Sequence, residues 1–253
     1  MTADDYLRQI LAREAVDDGP GAPLRLLEAE IVQILGDWIG SALQEVAPGG
    51  AFEKGTANAS GVAIDFVAFI TPDCPIPIEA LYESLHLHLH ALGLDPVRRP
   101  VSIGIRLDDM MVDIIPARLL PGRPSEVRLY NERRECGFDT NMLWHRHDVR
   151  SAGRAEEIRL IKLWRDQNRL ELPSLYLEFA VIAALRGKPP GALAMNLWSV
   201  LAHFSSLFVA RAAIDPANAN NFVSDMLTTA EKQQVKSVAQ ATMAQRAWQH
   251  IVV

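Results

Sequence analysis

The sequence has few cysteines, no excess of positive charge and no long uninterrupted apolar run. Its two cysteines, Cys74 and Cys136, are too few for a disulfide scaffold or a cysteine-rich zinc site. The formal charge of −6 argues against binding to an extended nucleic-acid duplex, which requires many phosphate contacts. His203 and Arg211 interrupt the most apolar stretch, residues 197–214, so a buried helix explains it better than a membrane span. The acidic start lacks a secretory pattern, and we expect a cytoplasmic protein without a membrane partner.

Charge is unevenly distributed along the chain. Residues 1–97 are strongly acidic, whereas residues 98–170 are rich in arginine. This asymmetry favours a small polyanion, such as a nucleoside triphosphate, bound by the middle of the chain and beyond. For most individual arginines, simple solvation is the alternative interpretation.

Apolar periodicity and turn residues predict an α+β fold, in which a small mixed sheet is flanked by helices and followed by a helical lobe. Helices are expected over residues 5–14, 24–45, 78–92, 156–167, 174–185, 191–212 and 229–251. Strands are expected over residues 61–70, 101–107 and 110–115, with a loop at 17–21 and Pro116 ending the last strand.

Two of these strands each carry a single aspartate among apolar residues. Strand alternation places Asp65 on the same face as Ala63 and Val67, and Asp113 lies in the apolar run 110–116. Because aspartate is disfavoured in β-strands, its presence in each of these two strands indicates a specific role. If the strands are neighbours, the two carboxylates converge and suit Mg²⁺, which binds a few carboxylates together with substrate phosphates. The alternative is that each aspartate points into solvent, and spacing alone does not decide.

A glycine-containing segment precedes the first of these strands. Small residues at 49–51 allow backbone N–H groups to approach a phosphate. The order of glycine loop, aspartate strand and second aspartate strand resembles the polymerase-β-like nucleotidyltransferases. Residues 50–57, Gly-Ala-Phe-Glu-Lys-Gly-Thr-Ala, resemble the G-S-x-x-K-G-T-A loop of bacterial CD-NTases and oligoadenylate-synthase-like relatives. Residues 112–117, Val-Asp-Ile-Ile-Pro-Ala, are similar to their second aspartate strand.

Further segments extend the resemblance over nearly the whole chain. Residues 13–17, 158–164, 172–178 and 215–225 resemble elements around the core of these bacterial proteins. The resemblance implies a catalytic core over residues 1–125 and a helical lobe over 126–253 that covers the nucleotide. It assigns the triphosphate to Gly50, Ala51, Lys54, Thr56, Lys162 and Ser174, and Mg²⁺ or Mn²⁺ to Asp65 and Asp113.

The implied activity is synthesis of cyclic or linear oligonucleotide second messengers from nucleoside triphosphates in antiphage signalling, with operon-encoded effector or regulatory proteins as partners. Two alternatives are terminal nucleotide addition to RNA or tRNA and nucleotide binding by a pseudoenzyme.

Two departures from the family pattern affect the expected chemistry. Ala51 replaces the loop serine, and Ala63 occupies the position of the first metal-binding aspartate. A methyl group cannot ligate a cation, so we expect impaired catalysis with retained nucleotide binding. An engineered exchange and a naturally inactive relative both fit; the otherwise intact motif favours the first.

Other polar residues receive weaker assignments. Lys162 is expected to meet the triphosphate rather than to reach solvent, and Ser174 either contacts phosphate or caps a helix. Tyr176 is expected to pack in the core, since the family aromatic immediately follows the serine. Arg118 and Arg123 line the nucleotide site or are solvated. The histidines at 86, 88, 90, 145 and 147 are interpreted as surface or packing residues, because a zinc site lacks further ligands.

Overall fold

The computed structural model describes residues 1–17, 23–61 and 63–253. The loop expected at 17–21 therefore lies almost entirely outside the described residues, as does Val62. Contacts between residues divide the chain into two compact units. The sheet unit comprises Asp17–Glu53 and Val62–His145, and the helical unit comprises Met1–Val16, Lys54–Gly61 and Arg146–Val253. The assignment of residues 1–125 and 126–253 to a catalytic core and a covering lobe stays a prediction.

The sheet unit is a mixed seven-stranded sheet with helices on one face. Its helices are α2 (Pro23–Ile39) and α4 (Ile78–Ala91), and α5 (Met142–Ser151) contains residues of both units. Its strands are β1 (Leu43–Pro48), β2 (Ala63–Ile70), β3 (Val97–Arg98), β4 (Ile103–Leu107), β5 (Met110–Leu120), β6 (Arg123–Asn131) and β7 (Cys136–Thr140). The strand order is β1-β2-β5-β4-β3. In addition, β6 pairs with β5 and with β7. Among the strands of this unit that the structure describes, only β2 and β5 pair in parallel.

Alternation along β2 separates two apolar clusters. Phe66 and Ala68 pack with α2 and α4 on one face. Val67 belongs to a smaller cluster on the other face, where Ile115 of β5 lies. Asp65 shares this second face by strand periodicity, as the sequence predicts.

The helical unit has its own apolar core. Its helices are α1 (Ala3–Arg13), α6 (Ala155–Gln167), α7 (Ser174–Ala184), α8 (Leu193–Ser206) and α9 (Thr229–Met243), with a hairpin of β8 (Ile214–Asp215) and β9 (Asn218–Phe222). Leu7 of α1 packs in the same cluster as Trp164 and Val252. The Tyr6 hydroxyl donates to the Val252 carbonyl at 2.9 Å, which joins the two ends of the chain. The short helix α3 (Gly50–Lys54) contains residues of both units.

Several predicted boundaries are wrong. The helix expected over 24–45 ends at Ile39, and residues from Leu43 form β1, because pairing with β2 outweighs the helix propensity of this segment. Pro116 does not end β5: it lies between the stretches paired with β4 and β6, so on that edge no partner strand requires an N–H. The last two predicted helices are shorter, ending at Ser206 and Met243.

The described part of the chain contains no helix that is both long and apolar enough to cross a membrane.

Candidate functional site

Asp65 and Asp113 occupy matching positions on neighbouring strands. They are register partners in the parallel pairing of β2 with β5. Paired residues of adjacent strands lie about 5 Å apart and direct their side chains to the same face. The structure therefore brings together, at one place on the sheet, the two carboxylates that the sequence selected.

The Asp113 carboxylate has a cationic partner. Arg99 Nε donates to Asp113 Oδ1 at 2.9 Å, and the Asp113 side chain is 14% exposed. Gly104 pairs with Asp113 from β4, and a Cβ at that position would lie 2.8 Å from Oδ1. Because Gly104 has no side chain, there is space for the Arg99 guanidinium to contact the Asp113 carboxylate. Burial raises the pKa of Asp113, and the Arg99 guanidinium opposes this only in part.

The predicted phosphate loop packs on the other carboxylate. The Gly49 N–H donates to the Asp65 carbonyl at 2.8 Å. Gly50 has φ +57°, and a Cβ built on it would lie 1.6 Å from Asp65 Oδ2. Only glycine permits this approach. Gly50 therefore helps to determine where the Asp65 carboxylate lies.

Ala63 lies two residues before Asp65, on the same face of β2, and pairs with Met111. Its methyl group supplies no ligand at the position where the resemblance expects a third carboxylate. Within residues 1–17, 23–61 and 63–253, no three His, Cys, Asp or Glu side chains are grouped to hold a metal ion. Two carboxylates still match the donor set of a Mg²⁺ ion that completes its coordination with substrate phosphates and water.

A second polar cluster lies in the helical unit and joins three of the predicted nucleotide-binding residues. Lys54 Nζ lies 2.8 Å from Glu178 Oε2, and Lys162 Nζ lies 2.7 Å from Glu178 Oε1. Lys162 also donates to Thr56 Oγ1 at 2.9 Å, and this hydroxyl donates to Glu178 Oε1 at 2.9 Å. We call these four residues the lysine–glutamate cluster.

Glu178, the centre of this cluster, is not among the residues predicted from the sequence. Its side chain is fully buried, and although burial alone would raise its pKa, the charges of Lys54 and Lys162 hold the pKa of Glu178 at about 2. The available signal was a single carboxylate in the otherwise apolar helix Ser174–Ala184. A buried ion of this kind requires a partner. Lys162, which lies between apolar residues of the neighbouring helix α6, is such a partner.

The segment that carries Lys54 and Thr56 is held at its far end. Glu14 Oε2 accepts the Ser60 N–H at 2.8 Å, and Arg159 Nε donates to Asn58 Oδ1 at 3.1 Å. Arg159 also donates to the Glu14 carbonyl at 2.7 Å. Glu14 belongs to residues 13–17, which the resemblance also includes. This segment therefore helps to anchor the loop that carries Lys54 and Thr56.

Ser174 is the first residue of α7, and its hydroxyl accepts from Arg165 at 2.9 Å. Ser174 does not cap its helix: Pro173 is the cap residue, without a side-chain hydrogen bond. Tyr176 is buried and stacks on Phe208 at a ring-centroid distance of 4.8 Å, which confirms the predicted core packing.

Three of the remaining candidates contact other groups of the sheet unit. Arg118 donates to the Ile76 carbonyl at 2.9 Å, and the exposed Arg123 pairs with Glu126 at 3.1 Å. His88 lies 3.1 Å from the Ile34 carbonyl. These contacts fit solvated or packing side chains.

Neutralising Asp113 is expected to stabilise the isolated protein. A carboxylate whose pKa is raised in the folded state binds protons more tightly there than when unfolded, so its ionisation costs stability at neutral pH. We expect Asp113→Asn to melt a few degrees higher than the parent protein at about pH 7.5, measured with a chelator present. This gain should shrink as the pH falls towards about 4, where aspartate protonates in both states.

The partner variant is Arg99→Met, which leaves the Asp113 charge unpaired and should melt lower than the parent at neutral pH. An Asp113→Asn variant less stable than the parent at neutral pH would show that the Arg99 ion pair outweighs the desolvation of the carboxylate.

Comparison with solved structures identifies the fold. CdnC of E. coli MS115-1, in complex with HORMA-deltaN, superposes with TM-score 0.71 and 16% identity over 97% of this chain and 95% of that chain. The Bradyrhizobium diazoefficiens CD-NTase CdnG, in complex with GTP, gives TM-score 0.70 and 16% identity over 94% and 89%. The Cid1 poly(U) polymerase bound to MgATP gives TM-score 0.60 and 12% identity over 94% and 92%. No protein-family profile and no curated protein matches the sequence.

Proposed function

Because the chain has the nucleotidyltransferase fold, which confirms the fold that the motifs predict, we propose that it binds nucleoside triphosphates and is built to join them into cyclic or linear oligonucleotides for antiphage signalling. The observation that carries this proposal is the register pairing of Asp65 with Asp113 on parallel strands. Two aspartates side by side on neighbouring apolar strands, beside a glycine loop, fit metal-assisted transfer to a phosphate.

In the proposed reaction, a ribose hydroxyl attacks the α-phosphate of a nucleoside triphosphate. The new bond joins the hydroxyl oxygen to phosphorus, the bond to the β-phosphate breaks, and pyrophosphate leaves. Asp65 and Asp113 would hold Mg²⁺ or Mn²⁺, which when bound lowers the pKa of the hydroxyl and neutralises phosphate charge. Gly50 and Ala51 would offer backbone contacts, and Lys54, Thr56, Lys162 and Ser174 would bind the triphosphate.

Ala63 limits this chemistry in the chain as it stands. Two carboxylates bind a divalent cation more weakly than three, and Arg99 already pairs with one of them at 2.9 Å. We therefore propose that the protein retains nucleotide binding but is impaired in transfer.

Lys54 offers a direct test of nucleotide binding. We expect Lys54→Met to weaken binding of nucleoside triphosphates by at least about tenfold, because a charged hydrogen bond to phosphate is lost. Glu178 keeps Lys162 and Thr56 as partners, so the variant should remain folded. Calorimetric titration with ATP, GTP, CTP and UTP measures the effect. Lys188→Met, at an exposed lysine of the same unit, is the matched control and should bind as the parent does. If Lys54→Met and Lys188→Met bind nucleoside triphosphates with equal affinity, Lys54 does not contact the triphosphate.

Terminal addition to RNA is the second candidate, because the Cid1 poly(U) polymerase and an RNA terminal U-transferase share the fold at TM-scores of 0.60 and 0.58. Incubation of labelled triphosphates with Mn²⁺, with and without added tRNA or oligoribonucleotide, separates the two. Product from triphosphates alone supports second-messenger synthesis, and product only with added RNA supports terminal transfer. Binding without product, even in the Ala63→Asp variant, supports a nucleotide-binding pseudoenzyme.

The complex of CdnC with a HORMA protein motivates one further proposal, a regulatory protein partner for this chain. Co-purification with proteins encoded beside it would test this.

A further inference from the structure

The buried ion pairs of the helical unit differ in charge balance. Arg154 and Glu157 form a one-to-one pair at 3.1 Å, with side-chain exposures of 10% and 2%. In the lysine–glutamate cluster, by contrast, a single carboxylate contacts two ammonium groups. With all three groups ionised, this cluster carries one excess positive charge.

The charged side chains of the cluster differ in their exposure to solvent. Glu178 is 0% exposed and Lys162 5%, whereas Lys54 is 13% exposed. The carboxylate thus lies at the interior end of the cluster, and Lys54 lies nearest to solvent. Lys54 is therefore the member of the cluster most accessible to an anion, and its ammonium group is held by Glu178 at 2.8 Å.

Thr56 restricts the geometry further. Its hydroxyl accepts from Lys162 and donates to the Glu178 oxygen that Lys162 also contacts. The three groups form a closed ring of hydrogen bonds, each with a defined donor and acceptor. A ring of this kind specifies the position of every member, because moving one breaks two bonds.

We propose that Glu178 is a positioning residue for triphosphate binding: its buried carboxylate holds Lys54 and Lys162 as oriented ammonium ions for a polyphosphate. This inference rests on the proposed function. The excess positive charge is the feature that a purely structural ion pair, such as Arg154 with Glu157, does not have. A bound polyphosphate would balance it.

The test replaces Glu178 by glutamine, which keeps the shape but removes the charge. We expect Glu178→Gln to bind nucleoside triphosphates at least about tenfold more weakly, because the lysines lose their restraint. Burial lowers the pKa of Lys162, Glu178 opposes this, and Lys54 and Arg165 add to it. Without the carboxylate, binding should therefore weaken further from about pH 7.5 to about pH 9.5, whereas the parent should change less. Tripolyphosphate should show the same fold-loss, because the base is not involved.

Glu157→Gln is the matched control, since it neutralises another buried glutamate of the same unit. Both variants should melt lower than the parent, but only Glu178→Gln should change affinity and pH profile. If Glu178→Gln does not fold, Glu178→Asp replaces it: the shorter carboxylate cannot reach both lysines, so binding should weaken while the pH profile stays that of the parent.

The outcomes separate this inference from the proposed function. A parent protein that binds no triphosphate overturns both. A parent that binds, together with a folded Glu178→Gln variant of unchanged affinity and pH profile, overturns the positioning role alone. Parental affinity in Glu178→Asp would do the same if the glutamine variant cannot be studied.

Discussion

Replacing Ala63 by aspartate is expected to raise consumption of nucleoside triphosphates by at least about a hundredfold in the presence of Mg²⁺ or Mn²⁺. Residue 63 lies on the same face of its strand as Asp65, beside the strand that carries Asp113. A carboxylate there completes a set of three oxygen donors on two neighbouring strands. The measurement is release of labelled pyrophosphate from each of the four nucleotides.

The stability of the Ala63→Asp variant is also expected to depend on the metal ion. Three carboxylates in close proximity repel one another, so Ala63→Asp should melt lower than the parent when a chelator is present. Added Mg²⁺ or Mn²⁺ should reverse this loss, because a ligand that binds only the folded state stabilises it.

Ala63→Asn is the control, since it has the same size but no charge, and it should show neither effect. Asp113→Asn in the Ala63→Asp background should abolish the gain in activity. If Ala63→Asp gains metal-dependent stability but consumes no nucleotide, the transferase proposal is wrong and the pseudoenzyme alternative remains. If it gains neither, the grouping of carboxylates does not form a metal site.

The second large effect is expected at Gly50. Gly50→Ala places a Cβ 1.6 Å from Asp65 Oδ2 in a backbone with φ +57°, so the carboxylate or the loop must move. The left-handed conformation costs about 1–2 kcal/mol for a residue with a side chain, and the overlap adds about 1–3 kcal/mol. Denaturant unfolding should show the combined loss. In the Ala63→Asp background, activity should fall by about tenfold or more, because Asp65 is displaced.

Gly40→Ala separates the two contributions. Gly40 has φ +56°, and a Cβ there would meet no atom within 4 Å, so it shares the backbone cost without the overlap. We expect Gly50→Ala to be less stable than Gly40→Ala by at least about 1 kcal/mol and to differ from it in activity. Equal stability and activity of the two variants would contradict the close packing of the loop on Asp65.

The aspartate pair could be predicted because two independent signals agree on it. Each aspartate interrupts an apolar strand, and strand alternation assigns its face. The resemblance supplied the order of the motifs and identified the gap at Ala63. Side-chain partners were not predictable: Gly104 is brought to Asp113 by the pairing of β4 with β5, and Arg99 reaches Asp113 from the segment between β3 and β4. No local pattern specifies either contact.

The missed strands have different causes. The segment from Leu43 to Pro48 contains good helix formers and becomes a strand only through its pairing with β2. In Arg123–Asn131, by contrast, Val127 and Leu129 alternate with Glu126 and Arg128, a period of two that indicates a strand, although most of this segment lies in the helical lobe expected over residues 126–253. Glu178 was missed because its partners Lys54 and Lys162 are distant in sequence, so their meeting depends on the tertiary fold.

The bond from Tyr6 to the carbonyl of Val252 has a consequence for biosynthesis. Helix α1 is synthesised long before Ile251 and Val252, which belong to the apolar cluster that buries it. Until these two residues have left the ribosome, Leu7, Ile10 and Leu11 lack part of that cluster. Contacts across a sequence separation of 246 residues form slowly. Nascent chains stalled before Val252 emerges should therefore be more sensitive to protease at α1 than the folded protein.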